Sequence, residues 1–151
     1  MTMTAPAPTA GAEALEKTTN KVTIMMFSGT ADKFLPLGVI TQSAAAMGMQ
    51  VQVFVTGFAL NAFTKEHHDL PFPVEFAAMA PALHEGLQSH NVPSWDAMLR
   101  QAKKMGAKVY ACSMMCDVMG LGKDDFNDLV DDLVGAATLV EMAQDAETFF
   151  I

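Results

Sequence analysis

Short apolar runs alternate with helical segments along most of this 151-residue chain. The runs "KVTIMMF", "QVQVFVTG" and "AKVYA" begin at Lys21, Gln50 and Ala107. Nearly continuous apolar runs of this length are typical of parallel strands that are buried on both faces. Segments with apolar residues at helical spacing follow them. The alternation predicts one α/β domain, a three-layer sandwich with a mostly parallel sheet of about five strands flanked by helices.

Charge and hydropathy exclude several classes of function. The formal net charge is −8, and no basic patch is visible, which argues against binding to nucleic acid or to anionic membranes. No apolar stretch is long enough to span a membrane. The first residues are rich in Thr, Ala and Pro and lack the features of a signal peptide. We therefore predict a disordered tail over residues 1–20, a folded domain over residues 21–151 and a cytoplasmic location.

Finer features of the chain are less regular. Pro36 is expected in the first turn of the helix after the first strand, where its missing amide is harmless. Residues 67–93 contain four prolines and predict a long, partly helical excursion that covers a site or builds an interface. Helical spacing predicts a helix over residues 126–133, although "LVDDLVGA" also fits a short strand. A further helix around residues 139–143 and a last strand, "TFFI", complete the domain.

Both cysteines lie in the stretch "YACSMMCDVMG". Residues four apart on a helix have β-carbons about 5–6 Å apart, whereas a disulfide needs about 3.8 Å, so a structural disulfide is disfavoured. The thiols and thioethers of the stretch are soft ligands that suit Cu(I). No second Cys or His pair has the spacing of a zinc site, so no resident metal is predicted. The histidines are predicted to be surface or interface residues: His67, His68, His84 and His90.

Cys112 is the better candidate for a reactive thiol. It follows the third strand directly and precedes "SMMCDVM", which can start a helix. Unpaired amides at a helix start stabilise a thiolate and lower its pKa, provided that solvent reaches the sulfur. The alternative is a small buried hydrophobic residue. Cys116 lies one turn further and precedes Asp117, so we predict core packing or a secondary thiol.

Ligands of parallel sheets bind at the carboxyl ends of the strands. Ser28, Gly29 and Thr30 follow the first strand, and their amides are candidates to face an anion. Lys33 would approach Cys112 if the first and third strands were neighbours, and is otherwise an ordinary solvated lysine.

Two stretches, "VTIMMFSGTADKFLPLGVITQSAAAMGMQVQVFVTGFALNAFTK" and "VPSWDAMLRQAKKMGAKVYACSMMCDVMGLGKDDF", resemble the DsrE/DsrF-like family, in particular its branch labelled peroxiredoxin-like. The resemblance runs from about Lys21 to Ile151. It implies a compact α/β fold, assembly as trimers or hexamers, no cofactor, and a sulfur-carrier or sulfurtransferase-like function.

Within that family the carrier cysteine corresponds to Cys112. The resemblance implies that it holds a persulfide or thiosulfonate and exchanges it with TusA-like or rhodanese-like partners. Lys33 and Cys116 would assist the catalytic thiol. The implied substrate contacts are Ser28, Gly29, Thr30, Gly57, Ser113 and Met115.

The chain departs from the family pattern at two places. Phe58 and Ala59 stand where relatives often have Trp-Gly, and Cys116 stands where they often have Met. No peroxidase signature is present. Two alternatives to sulfur transfer stay open: a redox- or Cu(I)-responsive module that uses both thiols, and a structural subunit of a sulfur-handling complex with inert cysteines.

Overall fold

A computed structural model describes residues 19–66 and 69–151 of the chain. Five strands form one sheet in the order β4-β3-β2-β1-β5, and every neighbouring pair is parallel. The strands are β1 (Lys21–Met26), β2 (Gln50–Val55), β3 (Lys108–Cys112), β4 (Asp132–Val134) and β5 (Glu147–Phe150). The predicted α/β sandwich with a parallel, five-stranded sheet is therefore confirmed. The predicted tail lies, apart from its last two residues, outside the described residues.

Five α-helices connect and flank the strands in the described part of the chain. They are α1 (Ala31–Ala46), α2 (Ala80–Ser89), α3 (Trp95–Lys104), α4 (Ser113–Met119) and α5 (Ala136–Ala143). Short 3-10 helices span Gly57–Phe63, Val74–Met79 and Lys123–Asp125. None of the helices in residues 19–66 and 69–151 combines the length and the apolar content needed to cross a membrane.

Alternate strand residues face two separate apolar clusters, because successive side chains of a strand point to opposite faces of the sheet. The main core lies between the sheet and the pair α1 and α3, with Ile24, Val53 and Val109 on the strand side. The second cluster lies on the opposite face, beneath α5. Its members are Met25, Phe54, Tyr110, Cys112, Met115, Val134, Leu139 and Met142.

The predicted helix over residues 126–133 is wrong. Phe126 and Leu129 are buried, as their spacing suggested, but no α-helix forms there. The Asp131 amide donates to the Val109 carbonyl at 2.8 Å, and the Asp131 carboxylate accepts from the Val109 amide at 2.8 Å. Pairing with β3 therefore takes the chain into β4, and the ambiguous "LVDDLVGA" supplies that short strand.

Pro36 is also placed differently from the prediction. α1 begins at Ala31, so Pro36 lies inside the helix rather than in its first turn. Proline has no amide hydrogen, so the helical bond that residue 36 would give to the Asp32 carbonyl cannot form.

Candidate functional site

Cys112 is the last residue of β3 and the N-cap residue of α4. The sequence placed it at this junction of strand and helix. Its side chain packs in the second cluster, and only 4% of the residue is exposed. The expectation that solvent reaches this sulfur in the ground state is therefore not met. Both cysteines are free thiols.

The cover over Cys112 is α5. Met142 is the one buried residue of this eight-residue helix, and it packs with Cys112 and Phe54. The Thr23 hydroxyl donates to the Met142 carbonyl at 2.7 Å and ties α5 to β1. A short helix held by so few buried groups is the kind of element that opens locally more easily than the rest of a fold.

Cys116 lies in a different environment. It is fully buried and belongs to the main core, although it is only one helical turn from Cys112. Burial raises the pKa of the Cys116 thiol to about 11, and the neighbouring Cys112 and Asp117 contribute in the same direction. Because the thiolate is the nucleophilic form, this thiol is a poor nucleophile at neutral pH.

The loop after β1 uses most of its own donors internally. The Ser28 amide donates to the Ile151 carbonyl at 3.3 Å, and the Thr30 amide contacts the Ser28 hydroxyl oxygen at 3.4 Å. The Ser28 and Thr30 hydroxyls are bonded to each other at 3.0 Å. Two of the three amides considered as anion donors thus already have partners within the chain.

Glycines let the exits of β1 and β2 pack against each other. A Cβ on Gly29 would lie 2.7 Å from the Phe58 carbonyl oxygen. Gly57 has a φ of +56°, and a Cβ there would lie 2.8 Å from the ring of Phe27. The last register pair of β2 and β3 is one residue before Cys112, so the exit of β2 lies beside the thiol's strand, with the exit of β1 on its far side.

Ser113 and Met115 lie on α4, next to the thiol. Met115 is half-buried and packs in the second cluster with Cys112. Ser113 is half-buried, and its hydroxyl lies 4.0 Å from the position of a Cβ on Gly135, at the start of α5. These two predicted contact residues are therefore close to Cys112 in the fold.

Lys33 does not meet the condition set for its approach to Cys112. β2 lies between β1 and β3, so the strands that precede the two residues are not neighbours. The Lys33 side chain is 48% exposed, and its ammonium lies 3.8 Å from the carboxylate of Asp32. Its surroundings are those of a solvated lysine in a weak surface ion pair.

A cleft of about 880 Å³ lies away from the thiol, between the excursion and the helices of the main core. Leu83 and Leu87 of α2 form one wall, while Leu35 and Trp95 form the other. No residue of α2 is buried. The excursion thus borders a cleft, but Cys112 is not among its lining residues.

Metal ligands of the usual kinds do not converge in the described residues. Across 19–66 and 69–151, no group of three or more His, Cys, Asp or Glu side chains is placed to hold a metal ion. His84 and His90 are exposed, and His84 borders the cleft. His67 and His68 lie outside the described residues.

Side chains from other elements surround Cys112, and the sequence near the cysteines does not predict them. Met25 comes from β1 and Met142 from α5, far from the cysteine stretch. The alternation within β1 could have separated Met25 from Met26, but only the strand order shows which face carries the thiol. Met114, which lies within the cysteine stretch itself, is 65% exposed.

The sequence is similar to those of two bacterial proteins over most of their length. It is 28% identical over 159 residues to the uncharacterized protein YrkE of Bacillus subtilis, covering 88% of this chain and 98% of that protein. It is 24% identical over 151 residues to the sulfur carrier protein DsrE2 of Allochromatium vinosum, covering 84% and 94%.

Solved structures share the fold at low identity. The ychN protein of E. coli matches with a TM-score of 0.60 and 14% identity, over 87% of this chain and 98% of that one. The protein MTH1491 of Methanobacterium thermoautotrophicum matches with a TM-score of 0.56 and 15% identity, over the same shares. Residues 18–80 and 73–151 match the sequence model of one family, so almost all of the described chain is covered. The chain belongs to the DsrE/DsrF/DrsH-like family.

Proposed function

We propose that this protein is a sulfur carrier of a sulfur relay and that Cys112 holds the transferred sulfur. The observation that carries the proposal is the position of Cys112, at the end of β3 and the start of α4, in a chain of this family. The relative DsrE2, whose name is sulfur carrier protein, supports the same class of function. The proposal assigns no carrier role to Cys116, because it is buried in the main core and its raised pKa keeps it mostly protonated.

The proposed transfer consists of two thiol exchanges. The Cys112 thiolate attacks the sulfane sulfur of a donor persulfide, R–S–SH, and the donor leaves as the thiolate R–S⁻. Cys112 then carries the outer sulfur as Cys–S–SH. An acceptor thiolate attacks that outer sulfur, and Cys112 leaves as a thiolate. No net oxidation occurs, and the rates depend on thiolate fraction and on the leaving sulfur.

Residues near the thiol have specific parts in this proposal. First-turn amides of α4 have no helical acceptor and would stabilise an anionic sulfur at the N-cap position. Met115 and Met142 would form an apolar wall that keeps water from the labile sulfur. Lys33 is given no part, because β2 lies between its strand and β3. The homo-oligomer and the relay partners that the resemblance implies stay predictions.

Because Cys112 is almost fully buried, the proposal requires α5 to move before a donor can reach the sulfur. The helix is short and has one buried residue, Met142. A donor protein that engages this face would capture the open form. The moving element is thus the same helix that shields the loaded persulfide from water.

The test is sulfur loading followed by intact-mass measurement. The reduced protein is incubated anaerobically with polysulfide or with a persulfidated low-molecular-weight thiol. We expect the mass of one added sulfur atom on wild type and on Cys116→Ala, and none on Cys112→Ser. Lys33→Ala should load like wild type. Loading of Cys112→Ser equal to wild type, or loading lost in Cys116→Ala alone, would refute the assignment of Cys112.

A further inference from the structure

Sulfur-containing side chains are concentrated around Cys112. Met25 of β1, Met115 of α4 and Met142 of α5 share its cluster, and we call these four residues the soft-donor cluster. Four of the eight side chains in the second cluster thus carry sulfur, against five of thirty-two in the main core, and Met115 packs against both clusters. If methionine served only to fill irregular gaps, the two clusters would hold similar fractions of sulfur-containing side chains.

Thiolate and thioether sulfur are the ligands that Cu(I) prefers over nitrogen and oxygen. The second cluster contains no carboxylate and no imidazole, and the phenol of Tyr110 is its one side-chain oxygen group, so it is poor in ligands for a hard cation. We propose that the soft-donor cluster is a binding site for a monovalent soft metal ion, Cu(I). Cys112 is the anionic ligand, and the thioethers of Met25, Met115 and Met142 complete the coordination.

Burial favours this chemistry rather than opposing it. A bare thiolate in an apolar cluster is costly, because nothing neutralises its charge. Binding of Cu(I) converts Cys112–SH into a neutral Cys112–S–Cu unit and releases one proton, with no change of oxidation state. Met25 and Met115 are half-buried, so their thioethers offer the route by which an ion from solvent reaches the buried thiol.

Binding of Cu(I) needs only the four side chains of the soft-donor cluster and does not require the protein to transfer sulfur. It has a consequence for the proposed carrier nevertheless. Cu(I) and a sulfane sulfur would occupy the same thiolate, so the metal-loaded protein would not accept sulfur.

The experiment is an anaerobic titration of the whole chain with Cu(I), in competition with bicinchoninate. Wild type is expected to bind one Cu(I), and Cys112→Ser to lose this binding. Met25→Leu and Met142→Leu should each weaken binding by at least about tenfold, because loss of a group that only supports a ligand already costs about 10–100-fold in metal affinity. These replacements conserve volume, so the variants should fold, as thermal melting verifies.

Met26→Leu is the matched control. Met26 follows Met25 on β1, but it is fully buried in the main core on the other face. Its replacement should leave Cu(I) affinity at the wild-type value. Wild-type affinity in both Met25→Leu and Met142→Leu would overturn the inference, because the thioethers would then not be ligands. Equal loss in Cys116→Ala and Cys112→Ser would also overturn it in favour of a two-thiol site.

Discussion

Replacing Met142 by alanine tests whether α5 controls access to Cys112. Met142 is 5% exposed and is the buried residue by which α5 packs on the second cluster. Truncation of a buried methionine costs about 2–5 kcal/mol, and because a short helix can relax around the cavity we expect a loss of about 2 kcal/mol. If this loss falls on the opening of α5, the population of the open form rises about 30-fold.

The assay is the rate of Cys112 alkylation in the native protein. Iodoacetamide is added to the Cys116→Ala background, so that intact mass reports a single thiol. When opening and closing are fast relative to the chemistry, the labelling rate is proportional to the open population. The Met142→Ala variant should therefore be labelled about 30-fold faster than its parent.

Met98→Ala is the matched control for general destabilisation. Met98 is 3% exposed on α3, the helix that packs with α1 on the opposite face from α5. Its truncation should lower the free energy of unfolding by a comparable amount without changing the labelling rate. Equal acceleration in both variants would mean that Cys112 is reached by global unfolding. An unchanged rate in Met142→Ala would mean that α5 is not the cover.

Three further outcomes follow from the packing. Because the folded protein raises the pKa of Cys116 to about 11, wild type should lose about 2–3 kcal/mol of stability between pH 9 and pH 11, a loss absent from Cys116→Ala in urea melts. Stability falls as the pH rises because the unfolded state releases the Cys116 proton at a lower pH than the folded state does. Gly29→Ala should lower the free energy of unfolding by about 1–3 kcal/mol, because the new Cβ would lie 2.7 Å from a main-chain carbonyl oxygen. The new Cβ of Gly86→Ala, on α2, meets no atom within 4 Å, so this variant should raise the free energy of unfolding by about 0.5–1 kcal/mol. Asp131→Ala should cost about 1–3 kcal/mol, because it leaves the buried Val109 amide without its acceptor and removes the carboxylate that pairs with Lys103. Asp128→Ala breaks an exposed pair and should change stability by less than about 1 kcal/mol.

The strands were predictable because their signal is local. A strand buried on both faces is apolar at most positions, and β1, β2 and β3 are apolar at four of six, four of six and four of five positions. The junction between β3 and α4 was predictable for the same reason, since Cys112 directly follows an apolar run. The spacing of apolar residues gave a wrong prediction where pairing between strands decided the structure. A helix was predicted around Asp131, but its hydrogen bonds to β3 lead the chain into β4 instead.

The surroundings of Cys112 were not predictable, because they depend on strand order and on the side of the sheet that each helix covers. β1 has β2 and β5 as neighbours, so a residue that follows β1 cannot be assigned to the neighbourhood of β3 from chain order alone. The methionines contributed by β1 and α5 reach the thiol only through this three-dimensional arrangement. Burial of Cys112 under α5 has the same origin.

The placement of the two thiols in different clusters also determines how the protein responds to peroxide. A sulfenic acid on Cys112 would be rescued most quickly by a neighbouring thiolate, which would close a disulfide. The only other cysteine of the chain is a protonated thiol enclosed in the main core. A sulfenic acid on Cys112 can therefore be reduced only by a thiol supplied by another molecule, and where none arrives the sulfur is oxidised further to sulfinic acid, which thiols do not reduce.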